Sequence, residues 1–169
     1  MIVLAIDVSL SSSGYCVITD KREIVKYGKV ATNKKDFKSE HERMLHISKI
    51  FENIIKEYNV DEVVMEEAFI GRNIKGGMAL KKLQGYLCKT FKDIHHVSTV
   101  TPAAWRKALL NSNKAVKKED VIKYIRENVI DIGELKSSTK AKNEDEYESI
   151  GLAIGYLNDR EDIIKNNLY

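Results

Sequence analysis

The first third of the chain has the hydrophobic pattern of closely spaced strands. Residues 2–6 are continuously apolar, which is typical of a strand buried on both faces, and Asp7 ends the run. Residues 14–19 and 23–30 predict two further strands that are separated by tight turns. Connections this short join only antiparallel neighbours, so the first three strands are expected to form a meander.

A helical period begins after Ser39. Apolar residues recur at three- and four-residue steps from Met44 to Tyr58, and Ser39 and Glu42 form an S-x-x-E capping box at the start. Residues 60–67 then predict a fourth strand. Because a helix lies between the third and fourth strands, the fourth strand is expected to lie parallel to an interior strand.

The rest of the chain predicts one more strand and several helices. The expected elements are a helix opened by Gly76 and Gly77 and running to about Phe91, a strand over 94–100, a helix over 102–110 with Thr101 as its N-cap, a helix over 117–129, a polar loop over 131–143 and a helix over 144–157. The tail over 158–169 has no strong pattern. Residues 1–169 contain no repeat or linker, and we expect a single α/β domain, a five-stranded mixed sheet with helices on both faces.

The composition narrows the class of protein. The chain has 169 residues, with 43% hydrophobic and 31% charged residues, as in soluble globular domains. No apolar run approaches the roughly 18 residues of a membrane helix, and the apolar start lacks a basic leader. Cys16 and Cys88 belong to no CxxC pair, which argues against a zinc site or a disulfide framework. We therefore expect a cytoplasmic protein with no membrane partner.

Four carboxylates fall where a catalytic site could use them. Asp7 ends the first strand, and Glu66 ends the fourth strand, which the crossover places beside the first. Asp145 and Glu148 are three residues apart on the last helix and project from one face. Taken singly, each acid could be an ordinary turn, strand-end or helix-cap residue. Their order and spacing together indicate one cluster of negative charge.

Such a cluster needs a cation, because carboxylates held close together disfavour each other's charged form. An all-oxygen donor set without His or Cys suits Mg²⁺ or Mn²⁺. Two such ions, about 3.5–4 Å apart, can activate a water and stabilise the leaving 3′ oxygen of a phosphodiester. The acids therefore point to metal-dependent phosphodiester hydrolysis.

Basic residues are concentrated in two stretches, 71–92 and 105–126, although the net charge is only +3. They are candidates for contacts to DNA phosphates. The candidates are Arg72, Lys75, Lys81, Lys82, Lys114, Lys117 and Lys118. A solvated helix face would explain the same pattern. Phe69, which follows the fourth strand, could stack on a nucleic-acid base or simply pack under the next helix.

Four stretches of the chain together resemble the motifs of the RuvC resolvases, in the ribonuclease-H-like superfamily. IDVSLSSSGYCVI resembles the first motif, and MEEAFIGRN followed by ALKKLQG resembles the second. TPAAWRK resembles the T/V-P-x-x-W/V-K stretch, and DEYESIGLAIGY resembles the closing acid-x-x-acid helix. The resemblance covers nearly the whole chain. It includes phage-encoded relatives, for which the compartment would be the host cytoplasm.

The resemblance implies a Mg²⁺-dependent endodeoxyribonuclease that resolves four-way (Holliday) junctions and, as in some phage relatives, other branched DNA. It implies two Mg²⁺ or Mn²⁺ ions per site, held by Asp7, Glu66, Asp145 and Glu148 as catalytic ligands. Many relatives end in Asp-x-x-Asp, so Glu148 departs from the pattern by one methylene. The neighbouring Glu144, Glu146 and Glu67 leave the register open by one residue.

The resemblance also implies a homodimer and a role for Phe69 at the junction centre. The helix from about Gly77 matches the dimer-forming helix of the family. Its apolar residues are Met78, Leu80, Leu83, Leu87 and Phe91. The expected interface predicts that Leu83→Glu gives folded monomers. Packing of all these residues on the sheet is the alternative.

Three other functions fit parts of the sequence. IDVSLSSSG also matches the first phosphate loop of sugar kinases and actin-like ATPases, although those proteins need two such domains. A ribonuclease-H-like nuclease could instead cut flaps or RNA–DNA hybrids. A non-catalytic dimer that binds branched DNA is the third, against which the presence of all four acids argues. Trp105, His95 and His96 are expected to be structural.

Overall fold

The computed structural model describes residues 1–129 and 143–167, with side chains as far as residue 164. Its elements, in chain order, are β1 Ile2–Asp7, β2 Ser12–Thr19, β3 Ile24–Ala31, a 3-10 turn Lys34–Asp36, α1 Glu40–Tyr58, β4 Glu62–Glu66, α2 Ile74–Thr90, β5 His96–Val100, α3 Pro102–Leu110, α4 Lys118–Asn128 and α5 Glu144–Asn167. The predicted order of strands and helices is confirmed. The loop predicted over 131–143 lies outside the described residues, apart from residue 143.

The five strands form one mixed sheet in the order β3-β2-β1-β4-β5. β2 is antiparallel to both β1 and β3, whereas β4 is parallel to β1 and β5 is parallel to β4. Asp7 at the end of β1 pairs with Gly14 near the start of β2, and Ile6 pairs with Met65 of β4. The ends of β1 and β4 and the start of β2 therefore lie at one edge of the sheet, which we call the acid edge.

The alternation of side chains along β1 divides the core into two layers. Val3 and Ala5 pack with α3, α4 and α5, whereas Leu4 and Ile6 pack with α1 and α2 on the opposite face. A strand buried on both faces must be apolar throughout, which is why residues 2–6 form an uninterrupted apolar run. The predicted helices on both faces are confirmed, and no helix in the described part of the chain is long and apolar enough to cross a membrane.

Side-chain caps fix the starts of α1 and α2. The Ser39 hydroxyl accepts the Glu42 backbone N–H at 3.1 Å, as the capping box predicts, but the Glu42 carboxylate accepts the N–H of Lys38 rather than that of Ser39. α2 begins at Ile74, before the expected glycines, because the Asn73 side chain accepts the Gly76 N–H at 3.0 Å.

The last helix is longer than the sequence pattern indicates. It was expected to end near residue 157, yet α5 continues to Asn167, with one non-helical residue at Asp159. Buried Glu62 at the start of β4 holds this extension, since it accepts hydrogen bonds from Tyr156 at 3.0 Å and from Arg160 at 2.8 Å. These contacts join positions almost 100 residues apart, so the local pattern of the tail does not reveal them.

The apolar side chains of α2 are divided between core and surface. Leu83, Leu87 and Phe91 are buried against the sheet, so the expectation that Leu83→Glu yields a folded monomer is wrong. A charge at this position would enter the core and unfold the protein. Ile74 and Met78, in the first turns of α2, remain exposed, with 61% and 51% of their surface accessible.

Candidate active site

The acid edge brings the four predicted carboxylates to one place. Asp7 and Glu66 end the neighbouring strands β1 and β4, and the first turns of α5 add Asp145 and Glu148. The pKa of Asp7 is raised to about 7, first by burial and then by the charges of Glu66, Glu148 and Asp145, in that order. Glu66, Asp145 and Glu148 are therefore close enough to Asp7 for their charges to act on it.

The start of β2 controls how closely α5 can approach. A Cβ at Gly14 would overlap the backbone carbonyl of Asp145, so only glycine lets helix and strand meet at this distance. The Ser12 hydroxyl donates a 2.5 Å hydrogen bond to Asp145 Oδ2. The small residues of the first motif thus position an acid that lies more than 130 residues later in the chain.

Two consecutive residues of α3 contact two of the four acids. The indole N–H of Trp105 donates to Glu66 Oε2 at 2.9 Å, and the Arg106 guanidinium forms a 2.6 Å ion pair with Glu148 Oε2. Trp105 is fully buried, as expected, but sequence reasoning did not find its contact with Glu66 or the role of Arg106. The one available signal is that the TPAAWRK motif places an indole N–H donor beside a cation.

Positive charge offsets part of this negative cluster. Burial raises the pKa of Glu66, the charge of Glu148 raises it further, and Trp105, Arg106 and Lys118 act to lower it. Lys118, at the start of α4, also lowers the pKa of Asp7. Lys118, expected to contact DNA phosphate, is therefore half-buried beside the acids themselves.

The neighbouring acids of α5 have different partners. Glu144 pairs with Lys118 at 3.4 Å, and Glu146 is buried and lies 3.6 Å from Lys29 on β3. By contrast, Asp145 and Glu148 are the α5 carboxylates whose charges act on Asp7. This arrangement favours the predicted register over a shift by one residue.

The donor set fits a hard divalent cation by its chemistry. Glu148 Oε1 is buried and has no hydrogen-bond partner, and it lies among like charges, which is where a cation is needed. Within residues 1–129 and 143–167, however, no three carboxylate, imidazole or thiol groups are grouped closely enough to hold a metal as they stand. Two of the four acids are instead engaged by Trp105 and Arg106.

The predicted DNA-contacting residues lie mostly on the open surface near this edge. Phe69, in the loop between β4 and α2, has 78% of its surface exposed, so the alternative that it packs under the next helix is wrong. Lys81 pairs with Glu67 at 3.5 Å, and Lys82 lies 4.0 Å from Glu40. The remaining exposed candidates are Arg72, Lys75, Lys114 and Lys117.

The mixed sheet in the order β3-β2-β1-β4-β5, with helices on both faces, is the ribonuclease-H-like fold. The chain belongs to the RuvC family, because the family profile described as "Crossover junction endodeoxyribonuclease RuvC" matches residues 3–155. The RuvC protein of Ehrlichia ruminantium (strain Gardel) is 31% identical over 139 residues, which cover 78% of this chain and 84% of the relative. That of Dictyoglomus thermophilum is 26% identical over 165 residues, or 95% and 99% of the two chains.

Solved structures show the same fold. Thermus thermophilus RuvC in complex with Holliday junction substrate matches with a TM-score of 0.74 at 16% identity, over 96% of each chain. Fowlpox virus resolvase, in complex with substrate Holliday junction DNA, matches with a TM-score of 0.64 at 15% identity, over 95% of this chain and 99% of that one. The predicted fold and the predicted enzyme class, an endodeoxyribonuclease of the crossover junction type, are confirmed. The family is one of metal-dependent nucleases, and the kinase-like alternative is excluded.

Proposed function

We propose that this chain resolves four-way DNA junctions with a metal site formed by Asp7, Glu66, Asp145 and Glu148. The observation that carries the proposal is that Asp7 and Glu66 end neighbouring strands and that Glu66, Glu148 and Asp145 all lie close enough to Asp7 for their charges to raise its pKa. The proposed substrate is inferred from the family, and from relatives whose structures contain Holliday junction DNA. Two Mg²⁺ ions per site suit the all-oxygen donor set, and Mn²⁺ can substitute.

The bound ions would activate a water and stabilise the leaving 3′ oxygen of the phosphodiester. The chain's own residues hold the ligands in place for this chemistry. Trp105 orients Glu66 through its indole N–H, and Ser12 orients Asp145 through its hydroxyl. Lys118 adds positive charge on the same side, where a DNA phosphate must approach the acids.

The cleavage experiment compares four substrates with and without Mg²⁺. They are a four-way junction, a flap, a linear duplex and an RNA–DNA hybrid with matched sequences. We expect Mg²⁺-dependent cleavage of the junction that exceeds cleavage of the duplex by about a hundredfold or more. Preferential cleavage of the flap or the hybrid would favour another ribonuclease-H-like activity. Tight binding without any cleavage would favour a non-catalytic junction-binding protein.

Two exposed lysines lie between α3 and α4. Lys114 and Lys117 precede α4, whose first residue, Lys118, lies beside the acids. Arg72 and Lys75 are exposed around the start of α2, in the segment that follows Glu66 and β4. We propose that these two groups, with Lys81 and Lys82, contact phosphates of the strands that leave the branch point.

Replacing Lys114 and Lys117 together by Ala should weaken binding to all DNA forms about equally. Each lost phosphate contact reduces the slope of log affinity against log salt by about 0.9 for duplex arms, so the double variant should lose about 1.8. The measurement is junction affinity by fluorescence anisotropy across a salt series. The matched control is Lys21→Ala with Lys26→Ala, since both are exposed near the opposite end of the sheet. An equal slope change in both double variants would contradict the assignment.

An apolar surface lies beside the acid edge. It consists of Phe69, Ile70, Ile74 and Met78, which are all exposed, and we call it the α2 patch. We propose that Ile74 and Met78 join two copies of the chain around a two-fold axis, and that Phe69 stacks at the branch point. Two sites related by such an axis would face the two strands that must be cut.

Met78→Glu should give a folded monomer in place of the homodimer, because the new charge lies on the surface rather than in the core. Junction binding should fall, and paired incisions should become independent single nicks. The measurement is the molar mass by light scattering at micromolar concentration. Leu45→Glu, at an exposed apolar position on α1, is the control and should stay dimeric. An unmodified protein that is monomeric both alone and with DNA would contradict the dimer.

We propose the cytoplasm as the compartment. Cys16 and Cys88 are the two cysteines of the chain, and both are free thiols. Unpaired cysteines fit a reducing environment, and the DNA substrate is found there in bacteria or in a phage-infected host.

A further inference from the structure

Arg106 is held inside the acid site rather than in solvent. Its guanidinium lies 2.6 Å from Glu148 Oε2, where the Glu148 side chain is only 3% exposed and that of Arg106 is 20% exposed. The same guanidinium lies over the ring of the buried Trp105, 5.1 Å from its centroid. Both contacts hold the cation beside Glu148, which is a metal ligand in the proposed function.

The contact between Arg106 and Glu148 is incomplete. An ideal arginine–carboxylate pair makes two parallel hydrogen bonds. Here Arg106 Nε and Glu148 Oε1 are both buried and have no hydrogen-bond partner. One donor and one acceptor are therefore desolvated without compensation, which leaves the pair weaker than its short distance indicates. A ligand that satisfies Glu148 better can displace the guanidinium.

The surroundings explain why a cation lies there at all. Asp7, Glu66 and Glu148 act on one another as like charges, and Arg106 lowers the pKa of Glu66 as well as pairing with Glu148. Without a divalent ion, these carboxylates would repel each other in a buried site. Arg106 supplies part of the compensating charge from within the chain.

We propose that Arg106 is a built-in counter-cation that competes with the divalent metal for Glu148. This inference rests on the proposed function, because it takes Glu148 as a metal ligand. Arg106 acts through Glu148 and is a positioning residue. It stabilises the metal-free site and lowers its affinity for the ion. When the ion takes Glu148, the released guanidinium becomes available to an anion such as a DNA phosphate.

The experiment is a calorimetric titration of the full chain with Mn²⁺ in the absence of DNA. We expect Arg106→Met to bind Mn²⁺ about tenfold more tightly than the wild type, because the competing cation is gone. Its melting temperature should lie below that of the wild type without Mn²⁺, and saturating Mn²⁺ should close most of the difference. Lys123→Met removes one exposed positive charge from α4 and should change the affinity by less than about twofold.

Weaker or unchanged Mn²⁺ binding by Arg106→Met would overturn the inference, because a group that only pre-orients Glu148 would help the metal. If this variant does not fold even with Mn²⁺, Arg106→Lys replaces it. That variant keeps a cation of shorter reach, and we expect a smaller tightening, whereas weakening overturns the inference. Asp7→Asn tests the proposed function separately. If it binds Mn²⁺ like the wild type, the metal site itself is misassigned, whatever Arg106 does.

Discussion

Asp7→Asn should reduce junction cleavage by at least about a thousandfold while junction binding stays near that of the wild type. The amide is a poorer metal ligand than the carboxylate it replaces, so the ions would be held less well and would activate water less effectively. The exposed lysines and arginines that contact phosphate are unchanged, and one negative charge near the DNA is removed. The measurements are single-turnover cleavage with Mg²⁺ and junction affinity with a chelator.

A stability measurement on Asp7→Asn establishes whether the variant is folded. Since the folded-state pKa of Asp7 is raised to about 7 from 3.8, the folded chain retains a proton that the unfolded chain releases. The stabilisation of the folded state that comes from keeping this proton is fully present below about pH 4 and is lost as the pH rises through 7. Asparagine does not ionise, so metal-free Asp7→Asn keeps its stability as the pH rises. It should be at least as stable as the wild type at pH 8.

Asp93→Asn is the matched control for Asp7→Asn. It makes the same chemical change at an exposed position after α2 and should leave cleavage unaltered. Near-normal cleavage by folded Asp7→Asn in Mg²⁺ would reject the assignment of this acid.

Gly14→Ala should cost about 2–3 kcal/mol of unfolding free energy and most of the cleavage activity. The new Cβ would overlap the backbone carbonyl of Asp145, so α5 must shift away from β2. The shift would break the hydrogen bond from Ser12 to Asp145 and move Glu148 on the same helix. The measurements are urea unfolding and single-turnover cleavage.

Gly85→Ala controls for the general effect of replacing glycine. Gly85 is exposed on α2, and a Cβ there would meet no other atom within 4 Å. Alanine should be neutral or stabilise the helix by up to about 1 kcal/mol. If Gly14→Ala proves as harmless as Gly85→Ala, α5 does not depend on the close approach at Gly14, and the positioning of Asp145 needs another cause.

The order of apolar and polar residues along the chain predicted the parts of the fold that depend on neighbouring residues. The apolar run at 2–6 must be a central strand, because only a strand covered on both faces needs no polar position. The crossover helix then requires β4 to be parallel, which places Glu66 beside Asp7. The sequence alone therefore predicted that Asp7 and Glu66, at the ends of these two strands, belong to one site.

The features that sequence reasoning missed depend on contacts between distant residues. The continuation of α5 past residue 157 depends on Arg160 and Tyr156 reaching Glu62, and no property of the tail itself reveals that partner. The period of α2 showed an apolar stripe but not that Leu83 faces the sheet. In the same way, Arg106 looked like one of several basic residues until Glu148 was found beside it.

The most direct test of the central claim is to map the incisions in a four-way junction with each strand labelled in turn. With Mg²⁺, the account predicts one nick in each of two opposite strands, at symmetric positions near the branch point, and no nicks with Asp7→Asn or with a chelator. Folded, junction-bound wild-type protein that makes no incision in Mg²⁺, or that Asp7→Asn matches nick for nick, would contradict it.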